Sequence, residues 1–221
     1  MVHPMKGFFR ISLKDLLWKL KEKPEIMSEK QLLRIISSFS CPYNNDVEDF
    51  LRNKAITFEK QGIGATHLIF ASYKGELVLV GYFTLASKYF HIDVGTKQLG
   101  SNLKRRIRKF GAYESDIKKQ IIPAPLIGQI GKNFQDGYNA LISGDELLAM
   151  ACNTIREAQA LLGGRIVYLE CEDTPALISF YERNGFQIFG KRELEEKESR
   201  IFKGEYLVQL LRYLDQESVP L

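Results

Sequence analysis

The sequence predicts an α/β fold in which a mixed β-sheet carries helices on both faces. Apolar periodicity and turn residues indicate helices first, then several strands, a helix, a strand, a helix and two strands. Each strand-helix-strand crossover has to lay the apolar stripe of its helix on a sheet. The chain has 221 residues, 45% hydrophobic and 26% charged, which is ordinary for a globular protein. We therefore expect a single domain over residues 1–221.

Composition narrows the class of protein further. No uncharged stretch approaches the roughly 20 apolar residues that a membrane span requires. Charged side chains interrupt the apolar residues of the segment 1–20, unlike those of a secretory signal. The three cysteines are an odd number without C-x-x-C spacing, which argues against a disulfide framework and against a zinc site. We expect a soluble cytoplasmic protein with no membrane partner and no metal.

The N-terminal portion, at about 1–62, is predicted to be helical. Ser12 precedes Asp15, and Ser28 precedes Gln31, at the spacing with which a hydroxyl and an acidic or amide side chain cap a helix start. The predicted helices lie at about 13–22, 29–39 and 46–60.

The rest of the chain alternates between strands and helices. Residues 66–72 and 76–87 are rich in β-branched and aromatic side chains, and Lys74-Gly75 between them favours a hairpin. A basic segment at about 92–120 is predicted to be an insertion. Strands are also predicted at 126–132, 166–172, 186–189 and 206–212, and helices at 144–162 and 175–183.

The most informative motif follows the predicted strand at 166–172. Thr174 and Pro175 suit a helix entry, because threonine caps free N–H groups and proline is preorganised at the first helical position. The helix then carries the heptapeptide 180–186, with the sequence F-Y-E-R-N-G-F. Its glycine ends the helix, and its last phenylalanine starts a strand.

This F-Y-x-x-x-G-F pattern resembles that of the GNAT superfamily of N-acetyltransferases, in which a strand leads into a helix with this motif and then into the next strand. The resemblance extends roughly from Leu68 to Arg212. It implies a GNAT-type, mostly antiparallel twisted sheet flanked by helices on both faces. It also implies that acetyl-CoA is the cosubstrate.

In many members of this family the motif tyrosine protonates the departing CoA thiolate, which makes Tyr181 the candidate general acid. An unperturbed phenol titrates near pH 10 and so holds its proton at neutral pH. The alternative is that Tyr181 is a core aromatic residue.

A second candidate site lies at the start of the predicted helix 144–162. Ser143 and Glu146 have capping-box spacing, and Gly144 lets a phosphate approach the backbone N–H groups of the helix N-terminus. The family's phosphate loop, Q/R-x-x-G-x-G/A, aligns with Gly144 at its last glycine, but Asn139 and Ile142 replace two of its defining residues. The expected contacts of the CoA phosphates are Ile142, Ser143, Gly144 and Asp145. An ordinary capped helix explains the same residues.

The strand before this loop carries the third candidate site. In the family, the pantetheine arm of CoA pairs with the backbone of this strand, which assigns that role to Ile130, Gly131 and Lys132 here. Gly131 allows close approach of a ligand, or alternatively of bulky neighbours in the sheet.

No general base can be named from the sequence. Glu170 and Glu172 alternate with Cys171 on a predicted strand, so the two carboxylates share one face and the thiol lies on the other. Charged residues at strand ends are usually solvated, and Cys171 is expected to be a core thiol, since no histidine is near it in sequence.

Three functions remain open at this point. The first is transfer of an acetyl group from acetyl-CoA to a primary amine of an unidentified substrate, by direct attack with Tyr181 as general acid. The second is a noncatalytic acyl-CoA-binding or regulatory module, consistent with the altered phosphate loop. The third is acetylation of aminoacyl-tRNA, since Pro125–Gly131 is similar to the corresponding strand of GNAT toxins with that activity. The basic insertion could then bind RNA, although a solvated face or a partly buried amphipathic helix explains its charges equally well.

Overall fold

The computed structural model of the chain describes residues 3–5, 7–23, 25, 27–93, 95, 99–196, 198 and 204–214. It divides into two compact units. The first consists of Met1–Ala86 and Gly128–Ala151, and the second of Ser87–Ile127 and Cys152–Leu221. The expectation of a single domain with an insertion at 92–120 remains a prediction.

The bounds of the elements are as follows. The strands are β1 (His3–Met5), β2 (Phe8–Ser12), β3 (Ala65–Tyr73), β4 (Glu76–Ile92), β5 (Ala112–Glu114), β6 (Lys119–Lys132), β7 (Ile166–Cys171), β8 (Gln187–Glu193) and β9 (Tyr206–Tyr213). The α-helices are α1 (Leu13–Glu22), α2 (Glu29–Ser37), α3 (Asn45–Asp49), α4 (Ala55–Gln61), α5 (Ser101–Ile107), α6 (Gly144–Leu162) and α7 (Pro175–Arg183). A π-helical turn covers Phe50–Lys54, and 3₁₀ turns cover Arg108–Phe110 and Gln135–Ala140.

The strands form a mixed, mostly antiparallel sheet flanked by helices, as predicted. Their order is β1-β2-β3-β4-β6-β7-β9-β8, and β5 pairs with β6 outside this path. Antiparallel pairing joins β2 to β3, β3 to β4, β7 to β9 and β8 to β9. β6 pairs with β7 in parallel, with Leu126 opposite Tyr168 and Ile127 opposite Leu169. A parallel neighbour requires a crossover, which α6 provides.

In the first unit, the N-terminal helices lay their apolar stripes on the sheet. One buried cluster contains Tyr82 of β4 and apolar residues of both helices: Leu13 and Leu16 of α1, and Leu32 and Ile36 of α2. The predicted capping interactions are confirmed. The Lys14 N–H donates to the Ser12 hydroxyl, and Ser28 and Gln31 form a capping box.

Two features of this unit differ from the sequence prediction. Strands β1 and β2 were not predicted, because each is short and their stability comes from pairing with a neighbour. The predicted helix at 46–60 is a continuous helical segment, but the π-helical turn Phe50–Lys54 divides it into α3 and α4. Such turns insert one extra residue and leave no clear trace in apolar periodicity.

In the second unit, the basic segment forms an amphipathic helix on the sheet. Leu99, Leu103 and Ile107 recur at four-residue spacing and pack with Phe90 and Tyr168 in a second core cluster. The basic side chains of α5 lie on the remaining face. The following strand, β6, begins at Lys119 rather than at the predicted position 126. The prolines at 123 and 125 donate no backbone hydrogen bond and so obscured this strand in the sequence.

The predicted bounds of the two long helices are confirmed. α6 spans residues 144–162, and α7 spans residues 175–183 with a proline in its first turn. Gly185 follows α7 with φ of 80°, a value at which a side chain would be strained. Within the described residues, the structure contains no helix with the length and apolar character of a membrane span.

Candidate active site

Tyr181 lies in the last turn of α7, in the second unit, and its side chain is 7% exposed. The rings of Phe180 and Phe186, its neighbours in the motif, contact it edge-on at centroid distances of 4.9 and 5.9 Å. The motif therefore holds the tyrosine ring in an aromatic setting. The Phe186 N–H donates to the Tyr181 carbonyl, which closes the helix end.

The environment of Tyr181 keeps its phenol protonated. Burial, and secondly the neighbouring Cys171 thiol, raise the pKa of Tyr181 above its ordinary value. No described residue makes a hydrogen bond with its hydroxyl. The hydroxyl thus holds its proton at neutral pH and has no described protein acceptor for it.

Cys171 is a buried thiol, and its neighbour Glu170 is bonded to two other side chains. Burial, and then the charges of Asp173 and Glu172, raise the pKa of the Cys171 thiol to about 12, so it is a core thiol as expected. The Glu170 carboxylate accepts hydrogen bonds of 2.8 Å from Arg192 Nε and from Gln209 Nε2. Glu170 is therefore engaged in an ion pair with Arg192 and a hydrogen bond with Gln209.

The start of α6 has the predicted capping box. The Ser143 N–H and hydroxyl both donate to Glu146 Oε2 at 2.8 Å, and the Glu146 N–H donates to the Ser143 hydroxyl at 3.1 Å. These bonds lower the pKa of Glu146. The first intrahelical hydrogen bond runs from the Leu147 N–H to the Ser143 carbonyl. The backbone N–H groups of Gly144 and Asp145 precede it and therefore have no acceptor within the helix.

Ile142, at the family's first glycine position, is buried, with an exposed fraction of 2%. Its side chain belongs to the core, so only its backbone is suited to contact a ligand. Ser143 and Asp145 are exposed. Of the four residues expected at the phosphates, two thus present side chains to solvent at the N-terminus of α6.

Gly131, at the end of β6, lies so close to neighbouring side chains that a larger residue would clash with them. A Cβ atom at Gly131 would lie 2.5 Å from Val47 Cγ1 and 3.4 Å from Phe39 Cζ. Its carbonyl oxygen lies 2.9 Å from the position of a Cβ atom at Gly81 of β4. The close neighbours of Gly131 are therefore parts of the first unit. Ile130 and Lys132, on either side, are half-buried.

Lys132 and Asn133 connect β6 to the loop that precedes α6. Lys132 Nζ donates to the Asn139 carbonyl at 3.0 Å. Asn133 is fully buried: its Oδ1 accepts from the N–H groups of Ser40 and Gln135, and its Nδ2 donates to the Leu79 carbonyl at 2.8 Å. Asn133 belongs to no motif, and only its position directly after an apolar strand could have indicated this role.

Several basic side chains of the segment 92–120 are exposed to solvent. Arg105, Arg106, Arg108 and Lys109 are all exposed. Arg106 lies over the ring of Tyr213 at 4.9 Å. The segment therefore contains a partly buried amphipathic helix: its apolar side chains lie in the core, and its cations are exposed. Elsewhere, no group of three His, Cys, Asp or Glu side chains within the described part of the chain could hold a metal ion.

No family model matches the sequence, and no curated protein matches it either. Solved structures do match. A bacterial toxin is 17% identical, with 81% of this chain and 83% of that chain covered and a TM-score of 0.56. A tyrosine-to-phenylalanine variant of KacT is 17% identical, with coverage of 78% and 85% and a TM-score of 0.51. AtaT complexed with acetyl-methionyl-tRNAfMet is 18% identical, with coverage of 78% and 85% and a TM-score of 0.51.

The chain has the GNAT fold. The resemblance drawn from the F-Y-x-x-x-G-F motif is thereby confirmed for the fold. Within this GNAT fold, the motif occupies α7 and the turn into β8, and the capping box of Ser143 and Glu146 opens α6. Which residues contact a cofactor, and which catalyse a reaction, remain predictions.

Proposed function

We propose that the chain is an N-acetyltransferase that moves an acetyl group from acetyl-CoA to a primary amine, with Tyr181 as general acid. The observation that carries this proposal is the position of Tyr181 in a chain with the GNAT fold. It lies on the helix after β7, and its hydroxyl has no hydrogen-bond partner among the described residues. A structural tyrosine at a buried position normally has its hydroxyl bonded.

The proposed reaction is a direct attack. The neutral amine forms a bond from its nitrogen to the thioester carbonyl carbon, and the carbon–sulfur bond breaks. The Tyr181 hydroxyl donates its proton to the leaving thiolate, and the proton lost from the amine passes to water and returns to the phenolate. The raised pKa of Tyr181 keeps the phenol in its acidic form before each turnover.

The cofactor contacts that we propose lie in the first unit. The N–H groups at Ile142, Ser143, Gly144 and Asp145 bind the pyrophosphate through the positive end of α6, and the backbone of Ile130, Gly131 and Lys132 binds the pantetheine arm. The Glu146 carboxylate already accepts the Ser143 N–H, so Gly144 is a stronger candidate for phosphate contact than Ser143.

For the amine, we propose the α-amino group of an aminoacyl-tRNA. AtaT, whose structure has the same fold, is complexed with acetyl-methionyl-tRNAfMet, the product of such a reaction. The exposed arginines of α5 and of the turn after it supply positive charge for RNA phosphates. A noncatalytic acyl-CoA-binding module is the competing function, and the altered phosphate loop is what favours it.

The test is acetyl transfer from radiolabelled acetyl-CoA to a panel of aminoacyl-tRNAs, each compared with the same tRNA after deacylation. We expect label in at least one aminoacyl-tRNA and none in the deacylated tRNA, which has no α-amino group. Label in small amines or in protein lysines alone would exclude the RNA substrate but keep the transferase. Binding of acetyl-CoA by calorimetry without transfer to any acceptor would establish the noncatalytic module instead.

A further inference from the structure

The second unit contains a polar cavity of about 490 Å³ that the proposed transfer chemistry leaves unassigned. Its volume is in the range of pockets that bind small ligands. The residues that carry the following argument come from the end of β4, the start of β6, and strands β7 and β9; they are Lys88, Tyr89, His91, Lys119, Glu170 and Gln209.

Two of the three carboxylates that line this cavity, those of Glu170 and Glu198, are bonded to one arginine. Arg192 donates from Nε to Glu170 at 2.8 Å and from its two terminal nitrogens to Glu198 at 2.8 and 2.9 Å. Gln209 Nε2 donates to the other oxygen of Glu170. One guanidinium thus serves two carboxylates, and the lining as a whole carries four cations against three carboxylates: Lys88, Lys119, Lys191 and Arg192 against Glu170, Glu195 and Glu198.

Two of the four basic groups that line the cavity have no carboxylate partner among the described residues. Lys88 and Lys119 are exposed, and neither has an ion pair or hydrogen bond with any other described side chain. Two uncompensated ammonium groups at the rim of a cavity concentrate positive potential there. The ligand that this rim suits best is an anion.

Aromatic residues line the same cavity. Tyr89 is 60% exposed, and its ring lies 5.5 Å from the ring of His91 in an edge-on arrangement. The Tyr168 hydroxyl donates to the Tyr89 carbonyl at 3.3 Å, which holds this part of β4 in place. Exposed aromatic rings next to cations are the combination with which proteins bind single-stranded nucleic acid, the rings stacking on bases and the cations on phosphates.

We propose that this cavity binds one unpaired nucleotide of an RNA, with its phosphate at Lys88 and Lys119 and its base against Tyr89 and His91. The proposal rests on the proposed RNA substrate but concerns binding alone. It adds a contact to single-stranded RNA that is separate from the phosphate contacts of α5. An RNA with an unpaired end therefore binds more tightly than a fully paired one.

The test of the base contact is fluorescence anisotropy with a labelled single-stranded RNA of about 8 nucleotides, a length typical of such sites, without acetyl-CoA. Tyr89→Ala is expected to weaken binding about 5- to 100-fold, the range for loss of one base stack, whereas Tyr89→Phe keeps the ring and the affinity. Tyr43→Ala is the control, because Tyr43 is 85% exposed, lies in the first unit and is outside the cavity. Circular dichroism establishes that each variant is folded.

The phosphate contact is tested by the salt dependence of binding. Replacing both Lys88 and Lys119 with alanine is expected to reduce the slope of log K against log salt by about 1.4, since each contact to a single strand contributes about 0.7. The double variant Lys30→Ala and Lys60→Ala removes the same charge from exposed positions in the first unit and leaves the slope unchanged.

Two results would overturn this proposal. One is unchanged affinity in folded Tyr89→Ala, and the other is binding of a polyglutamate peptide that depends on Tyr89 as strongly as RNA binding does. Acetyl transfer is measured separately on the same variants. Tyr89-dependent RNA binding without transfer to aminoacyl-tRNA would remove the proposed function and keep this site. Transfer to aminoacyl-tRNA together with RNA binding that does not depend on Tyr89 would remove this site and keep the proposed function.

Discussion

Tyr181 of α7 and Cys171 of β7 are electrostatic neighbours. Burial is the main cause of the raised pKa of the Tyr181 phenol, and the Cys171 thiol is the second cause. The pKa of that thiol is itself raised, to about 12, mainly by burial. Both groups are therefore uncharged at neutral pH, so the phenol keeps a proton that it can donate, and the thiol is neither a nucleophile nor a base.

Tyr181→Phe is expected to reduce acetyl transfer about a hundredfold to ten-thousandfold, the usual contribution of general acid catalysis, and to leave acetyl-CoA binding intact. Its unfolding free energy should change by at most about 1 kcal/mol, because no described group bonds the hydroxyl. Tyr82→Phe is the matched control. Its hydroxyl donates to the Val47 carbonyl at 2.6 Å, so its loss costs about 1 to 3 kcal/mol without a comparable loss of activity. Full activity in Tyr181→Phe would refute the assignment.

Glu146→Ala is expected to destabilise the fold by about 1 kcal/mol at pH 7, because it removes half of the capping box at the start of α6. The pKa of Glu146 is lowered in the folded state, so its ionic contribution is present above the unfolded pKa and is lost as pH falls through the folded pKa. Urea unfolding at pH 7 and at pH 3 measures this ionic contribution to the free energy of unfolding. The difference between wild type and Glu146→Ala should shrink at the lower pH. A constant difference would mean that packing, not charge, is responsible, and Glu146→Gln serves as the neutral isostere.

Gly131→Ala is expected to destabilise the first unit by about 1 to 3 kcal/mol, the usual cost of overpacking, since its Cβ atom would lie 2.5 Å from Val47 Cγ1. Val47→Ala should restore part of this loss in the double variant, because it removes the clashing methyl group. A double-mutant cycle from urea unfolding gives the coupling energy. Additive effects would contradict the packing explanation. In that case, a loss of acetyl-CoA affinity in Gly131→Ala would indicate close approach of the cofactor instead.

Replacing both Arg105 and Arg108 with alanine is expected to weaken tRNA binding and to reduce its salt slope by up to about 2, if each side chain neutralises one phosphate of a duplex region. Stability should change little, because both side chains are exposed. Mobility shifts at several salt concentrations measure the effect, with the Lys30→Ala and Lys60→Ala double variant as the charge-matched control. An effect equal to that of the control would leave the cations of α5 as a solvated surface.

Some elements were predictable to within a residue from local chemistry. The hairpin turn at Lys74-Gly75 has φ of 51° and 85°, which suits a lysine-glycine pair between two apolar runs. α6 and α7 each begin at a recognisable cap or proline and end near a glycine. The F-Y-x-x-x-G-F motif could be read because the aromatic contacts around Tyr181 are made by residues close in sequence.

Other features depend on residues distant in sequence. The part of β6 before position 126 contains two prolines and exists through its partners, β5 among them. Asn133 is defined by bonds to Ser40 and Leu79, far from it along the chain. The hydrogen bonds that Glu170 accepts from Arg192 and Gln209 also join residues distant in sequence, so the strand pattern could not predict them.

Features that could be predicted from the sequence depend on interactions between residues close along the chain, and the others depend on interactions between distant residues. Caps, turns and apolar periodicity act over a few residues, so the amino-acid sequence alone determined the main helices and the hairpin. The resemblance of the F-Y-x-x-x-G-F motif to the GNAT pattern is what makes Tyr181 the candidate acid. Side-chain packing, buried hydrogen bonds and pKa values depend on which strands become neighbours. Only the tertiary structure could therefore decide that Gly131 accommodates Val47, that Cys171 is a core thiol with a raised pKa, and that Lys88, Tyr89 and Lys119 line one cavity.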